Sequence, residues 1–166
     1  MIGRVLSSVR YLINSRVCTG FRMLYHCYLK KSVVYVPTVV KLQTGAYVDV
    51  DPVAVIPVGD TQGLRRALVD TIARKNAIVP PPPKDNWPPP VLLKYAGVKT
   101  WSAFARGASQ WSIKEDDGKY QIVGYRTHRE GYWVQDPDQK TELPAGTTRD
   151  QVVDRMIAIL QDAARK

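Results

Sequence analysis

From residue 33 onward, apolar positions fall into short runs of strand character, interrupted by two stretches of helical spacing. Residues 33–42 (VVYVPTVVKL) are rich in Val with Tyr35 and Thr38, the composition of a pleated strand. Gln43-Thr44-Gly45 marks a turn, after which residues 46–50 return antiparallel. Asp51-Pro52 breaks that run, and residues 53–58 predict another short strand. Pro37 donates no ladder bond, so it belongs at an edge or a bulge. Asp60 stands where an N-cap is needed, and Leu64, Ala67, Leu68, Thr71 and Ile72 then recur on one helical face. Arg65, Arg66, Asp70, Arg74 and Lys75 fall on the outer face, a solvated surface. The second helical stretch carries Val152, Val153, Met156, Ile157, Leu160 and Ala163 as a broad apolar stripe.

Between these helices lies a proline-dense tract. Seven of the twelve prolines fall within residues 80–90, with Trp87 among them. Each ring removes an N–H and restricts the residue before it, so the tract is extended. It reads as a stiff strap crossing the domain, pinned by Trp87. Residues 91–95 then predict a strand, and Thr100 caps a short helix that Gly107 ends. Residues 111–114 and 119–126 flank Glu115-Asp116-Asp117-Gly118, whose Asp-Gly supplies tight-turn chemistry for a hairpin. Residues 131–135 offer a third meander strand. The expected fold class is α+β: a single domain over residues 33–166, mainly an antiparallel sheet of hairpins. Two longer helices near 60–75 and 148–164, a short helix near 100–106 and the strap at 79–90 complete it.

Charge sets the first 32 residues apart. No acidic residue precedes Asp49, and residues 1–48 hold +7 of the formal +9 in seven Lys and Arg, six of them within residues 1–32. The remainder is close to balanced, with 17 Lys and Arg against 15 Asp and Glu. Residues 1–32 therefore read as a basic segment, with arginines at 4, 10, 16 and 22 interrupting every apolar run. That interruption excludes a membrane span and a secretory signal. A terminal helix or tail, an over-extended start before Met23 or Val33, a transit peptide and a membrane-surface helix all stay open. Cys18, Cys27 and His26 lie close together, but structural zinc wants four ligands at set spacings. With no cysteine after residue 27, the fold is expected to stand on its own core in a reducing compartment. A cytoplasmic location follows, an organellar one only if residues 1–32 are a genuine transit peptide.

Candidate chemistry is sparse. Eight of the fifteen aromatics lie between Tyr95 and Trp133, interleaved with Lys94, Lys99, Arg106, Lys114, Lys119, Arg126, His128 and Arg129. Aromatic–basic sheets bind single-stranded nucleic acid by stacking, so a nucleic-acid binder is one reading, with the basic N-terminus adding charge. Spacing argues for core instead, since Trp111 alternates with Ile113, and Tyr120 with Ile122. The acidic turn at 115–118 lacks a calcium loop's ligand series. His128 has no nucleophile partner in sequence, and the glycines form no phosphate-binding loop or dinucleotide fingerprint. No cofactor, metal site or enzyme activity is predicted, with a small enzyme of unrecognised type left as a further alternative.

The frame KTWSAFARGASQWSIKEDDGKYQI, residues 99–122, has a short helix anchored by Trp101 and Phe104 and a strand from Trp111. An acidic glycine turn closing at Gly118 and a second strand ending Tyr120-x-Ile122 complete it. This frame resembles small bacterial immunity proteins of polymorphic-toxin and contact-dependent inhibition systems. The resemblance implies stoichiometric binding to a toxin rather than catalysis. Interfaces concentrate energy in Trp, Tyr and Arg, so the expected partner-binding residues are Arg106, Arg126, His128, Arg129, Tyr132 and Trp133.

Overall fold

The computed structural model describes residues 22–128 and 132–166. The chain begins with strands β1 (Met23–Lys30), β2 (Val33–Leu42) and β3 (Tyr47–Pro57), then helix α1 (Thr61–Arg74) and the two-residue β4 (Ile78–Val79). After the strap come the short helices α2 (Leu92–Ala96) and α3 (Trp101–Ala105). Strands β5 (Ala108–Asp116), β6 (Lys119–Thr127) and β7 (Trp133–Glu142) lead to helix α4 (Arg149–Ala164).

One sheet carries the molecule, in the order β3-β2-β1-β5-β6-β7 with antiparallel neighbours. The short β4 adds a parallel pair at the end of β2. Successive strand residues point to opposite faces, and β1 uses both. Tyr25, Cys27 and Leu29 join the core beneath the long helices, whereas Leu24 and Tyr28 join clusters on the other face. Leu64, Leu68 and Ile72 of α1 meet Val152, Met156, Ile157 and Leu160 of α4 over this first face, with Val34, Val36, Trp111, Ile113 and Ile122 beneath. Both helices start as their sequences require: Asp60 accepts from the Gly63 N–H at 2.9 Å, and Thr148 with Gln151 forms a capping box. The opposite face is covered by smaller pieces, with Leu92 and Leu93 of α2 and Phe104 of α3 packed on Tyr28, Tyr35, Val53 and Trp133.

The α+β class, the single domain, the two long helices and the short capped helix are as the sequence predicts. The hairpin turn is too, with Asp117 and Gly118 at φ 47° and 74°. Four features differ. The sheet begins at Met23, inside the segment that charge sets apart, and β1 lies at its centre. Acid-free composition reports charge; the alternation of residues 24–30 reports structure. The tail, targeting and membrane readings now fall on residues 1–21, outside the described residues. Second, residues 92–96 are helical. Leu-Leu-Lys-Tyr-Ala is a helix-favouring string, closed by Gly97 in the left-handed region at φ 67°. Third, Asp51-Pro52 does not end the strand: the two residues bulge out of β3 between the Pro37–Val53 and Thr38–Val50 pairs, and β3 resumes pairing on either side. Fourth, the last strand extends to Glu142, with Pro137 on the sheet edge inside a bulge of β7 between Gln135 and Lys140.

Candidate functional site

Beneath α3, the centre of the sheet is polar. Strand register sets Tyr28 opposite Gln110, His26 opposite Ser112 and Leu24 opposite Lys114, all on one face. These side chains are buried; Ser112 is 0% and Lys114 2% exposed. Asp49 of β3 reaches across β2 to join them, accepting from His26 Nδ1 at 2.7 Å and from the Tyr28 hydroxyl at 2.5 Å. Gln110 Nε2 donates to the Tyr28 oxygen at 3.4 Å, and Ser112 Oγ bonds the Tyr125 hydroxyl at 3.0 Å. Lys30 ends the row. Its ammonium donates to the carbonyls of Ala103 at 3.1 Å and Phe104 at 2.9 Å, and to that of Arg106. It thereby caps α3, whose last carbonyls have no partner within the helix. Burial, then the nearby Lys31 and Arg106 charges, lowers the Lys30 pKa.

Asp49, His26 and Ser112 have the composition of a hydrolytic triad, but not its geometry. A triad needs the serine oxygen bonded to the imidazole and open to substrate. Here Ser112 Oγ is sealed in the sheet and bonded to Tyr125, and no bond joins it to His26 among the described residues. Cys27, the neighbouring thiol, points to the other face, where burial pushes its pKa up to about 12. A thiol so high is inert at neutral pH. The polar row ties strands of the sheet to one another, and through Lys30 it ties α3 to the sheet.

The residues expected to bind a partner are split by the strands. Arg126 and His128 are exposed, and the rings of His128 and Tyr132 stack at 4.4 Å with planes 17° apart. The His128 N–H donates to the Tyr132 carbonyl at 2.6 Å, closing the β6–β7 connection. Trp133 is buried at 7% exposure, with its indole N–H donated to Thr127 Oγ1 at 3.0 Å. It anchors this connection to the core from inside. Arg106 is exposed at the end of α3, and Arg129 lies outside the described residues. Trp111 and Tyr120 lie in the core under the long helices, and Phe104 in the opposite core. Those rings are therefore unavailable as a stacking platform for nucleic acid.

A cavity of about 130 Å³ lies between the strap and the β2–β3 hairpin. Its walls include Val40, Val48, Pro80, Pro88, Trp87 and Trp101, and Asp49 is the one ionisable side chain that lines it. Beside it, Lys94 and Tyr95 of α2 both bond Asp51 of β3, each at 2.5 Å, tying the end of the strap to the sheet edge.

Sequence reasoning overlooked the polar row. The signal was the strict alternation of Tyr25, Cys27 and Leu29 with Leu24, His26, Tyr28 and Lys30.

No family model matches the sequence, and no curated protein matches it significantly. The fold, in contrast, recurs: a helix-backed antiparallel sheet of this arrangement is found in solved structures. A protein of unknown function from Neisseria meningitidis matches with a TM-score of 0.58 at 15% identity, over 86% of this chain and 92% of that one. A chain of the CdiA-CT/CdiI toxin and immunity complex from Yersinia pseudotuberculosis matches with a TM-score of 0.56 at 13% identity, over 86% of this chain and 96% of that one. At such identities the likeness is one of fold.

Proposed function

We propose that this protein is a stoichiometric protein binder of the immunity type, which neutralises a toxin by occupying its functional surface. The observation that carries this reading is the shared fold, which spans 86% of the chain and recurs in a toxin and immunity complex. Two features support it. His26 and Tyr28 are buried and both bonded to Asp49, which leaves that cluster engaged within the sheet. The β6–β7 connection presents Arg126 and the stacked His128–Tyr132 pair on a support that Trp133 holds from within. Aromatic and Arg side chains on a rigid support are what protein interfaces use as anchors. In this reading the protein works in the cytoplasm, where its cysteines stay reduced.

The test uses the full chain as bait in lysate of its native cells at about 300 mM salt, where phosphate-driven binding is largely lost. The expected result is one stoichiometric protein partner that arrests growth when expressed alone and is silenced by an equimolar amount of this chain. Replacing both His128 and Tyr132 by Ala is expected to weaken that complex at least about tenfold. Nuclease-resistant nucleic acid in place of a protein would overturn the reading.

A further inference from the structure

We propose that the cavity beneath the strap is a binding site for a small organic ammonium ion that also carries an oxygen acceptor. The first argument is charge. Every lining side chain other than Asp49 is uncharged, and His26 is the only basic group within ion-pair range of Asp49 among the described residues. The Asp49 side chain is 14% exposed and lines this apolar space, with His26 and Tyr28 each bonded to one of its oxygens from the sheet side. A buried anion of this kind is stabilised by a cation brought to it.

Aromatic walls supply the second argument. Trp87 and Trp101 both line the space, and an ammonium group is attracted to aromatic faces, most strongly to Trp. A carboxylate together with indoles in an otherwise apolar cavity is a surface matched to an alkylammonium ion. The third argument is a missing bond. The Trp87 indole N–H is buried and meets no acceptor among the described residues, whereas buried donors are nearly always paired. An oxygen on the same ligand supplies that acceptor. Size agrees, since a water needs about 10–15 Å³ of such space and the cavity of about 130 Å³ admits several heavy atoms.

The ammonium can belong to a free solute or to a lysine side chain of a partner, and one titration separates the two. The full chain is labelled with ¹⁵N, and the Trp87 indole signal is assigned by its loss in Trp87→Phe. Choline and 3,3-dimethylbutan-1-ol, which has the same shape without the charge, are then titrated. Choline is expected to shift the Trp87 signal saturably, and the uncharged isostere to bind at least about tenfold more weakly. Asp49→Asn is expected to bring the two within about twofold, and Trp87→Phe to weaken choline at least about threefold. Blocked lysine that outcompetes choline assigns the ammonium to a partner's side chain, and the reverse order assigns it to a free solute. No saturable shift with any of the cations, or equal affinity for choline and its isostere, overturns the proposal. The isostere comparison is made on the unmutated chain, so it decides the matter even where Asp49→Asn fails to fold.

Discussion

The two faces of the sheet are covered by opposite means. Under α1 and α4 the contacts are aliphatic and aromatic, supplied by helices of 14 and 16 residues with continuous apolar stripes. The opposite face, which carries the buried His26, Gln110, Ser112 and Lys114, is covered in part by two helices of five residues each packed on Tyr28, Tyr35 and Val53. Long helices bury enough apolar area to hold themselves, at about 1.5–3 kcal/mol for each fully buried large side chain. Short pieces bury too little, so directed bonds fix them: Lys30 to the end of α3, and Lys94 and Tyr95 to Asp51. A hydrogen bond adds only about 1 kcal/mol net, but an unmade one costs more when buried. The helical face therefore supplies stability, and the polar face supplies position.

The contrast makes measurable demands. Met156→Ala, at a fully buried site under α4, should cost about 2–5 kcal/mol in urea denaturation with the slope unchanged. Tyr28→Phe removes one donor to Asp49 and the acceptor for Gln110, and should cost about 1–3 kcal/mol in the same assay. A Tyr28→Phe loss equal to that of Met156→Ala would erase the distinction between the faces. Lys30→Met should act locally, speeding hydrogen exchange at the Phe104 and Arg106 amides by at least about tenfold while unfolding near the wild-type midpoint. The smallest effect concerns Asp51. The bonds from Lys94, and after it Tyr95, hold this carboxyl below its ordinary value. A depressed carboxyl stabilises the fold above its unfolded pKa, about 3.9, and loses that contribution as pH falls through the folded value. The melting temperature should therefore exceed that of Asp51→Asn at pH 7, with the gap closing below about pH 4.

The same contrast explains what was legible in the sequence. Features fixed by neighbours were readable: Asp60 and Thr100 at helix starts, Asp117-Gly118 in its turn, and the stripe from Val152 to Leu160. Each of these depends on a few consecutive residues and one periodicity. The polar face is not of that kind. Asp49 meets His26 across an intervening strand, and Lys30 meets α3 more than 70 residues away. No spacing rule connects such positions. The segment at 92–96 was misread because an apolar run of four or five residues fits strand and helix equally by pattern. As for the expected binding residues, Trp133 is buried through its place in the core with Tyr28 and Phe104, residues far from it in sequence.

Placing β1 between β2 and β5 has a consequence for the order of assembly. Its first neighbour follows within a few residues, yet its second begins only at Ala108, and the Tyr28–Gln110 contact spans 82 residues. During synthesis β1, β2, β3 and α1 are complete long before β5 exists. The nascent sheet must wait with the far side of its middle strand unpaired, the arrangement most prone to wrong pairing between chains. Closing that long loop is also the slow entropic step. Pulse-labelled exchange during refolding should show amides bonded between β1 and β2 protected ahead of those bonded between β1 and β5. A chain built this way keeps one edge of its middle strand open until the fifth strand arrives.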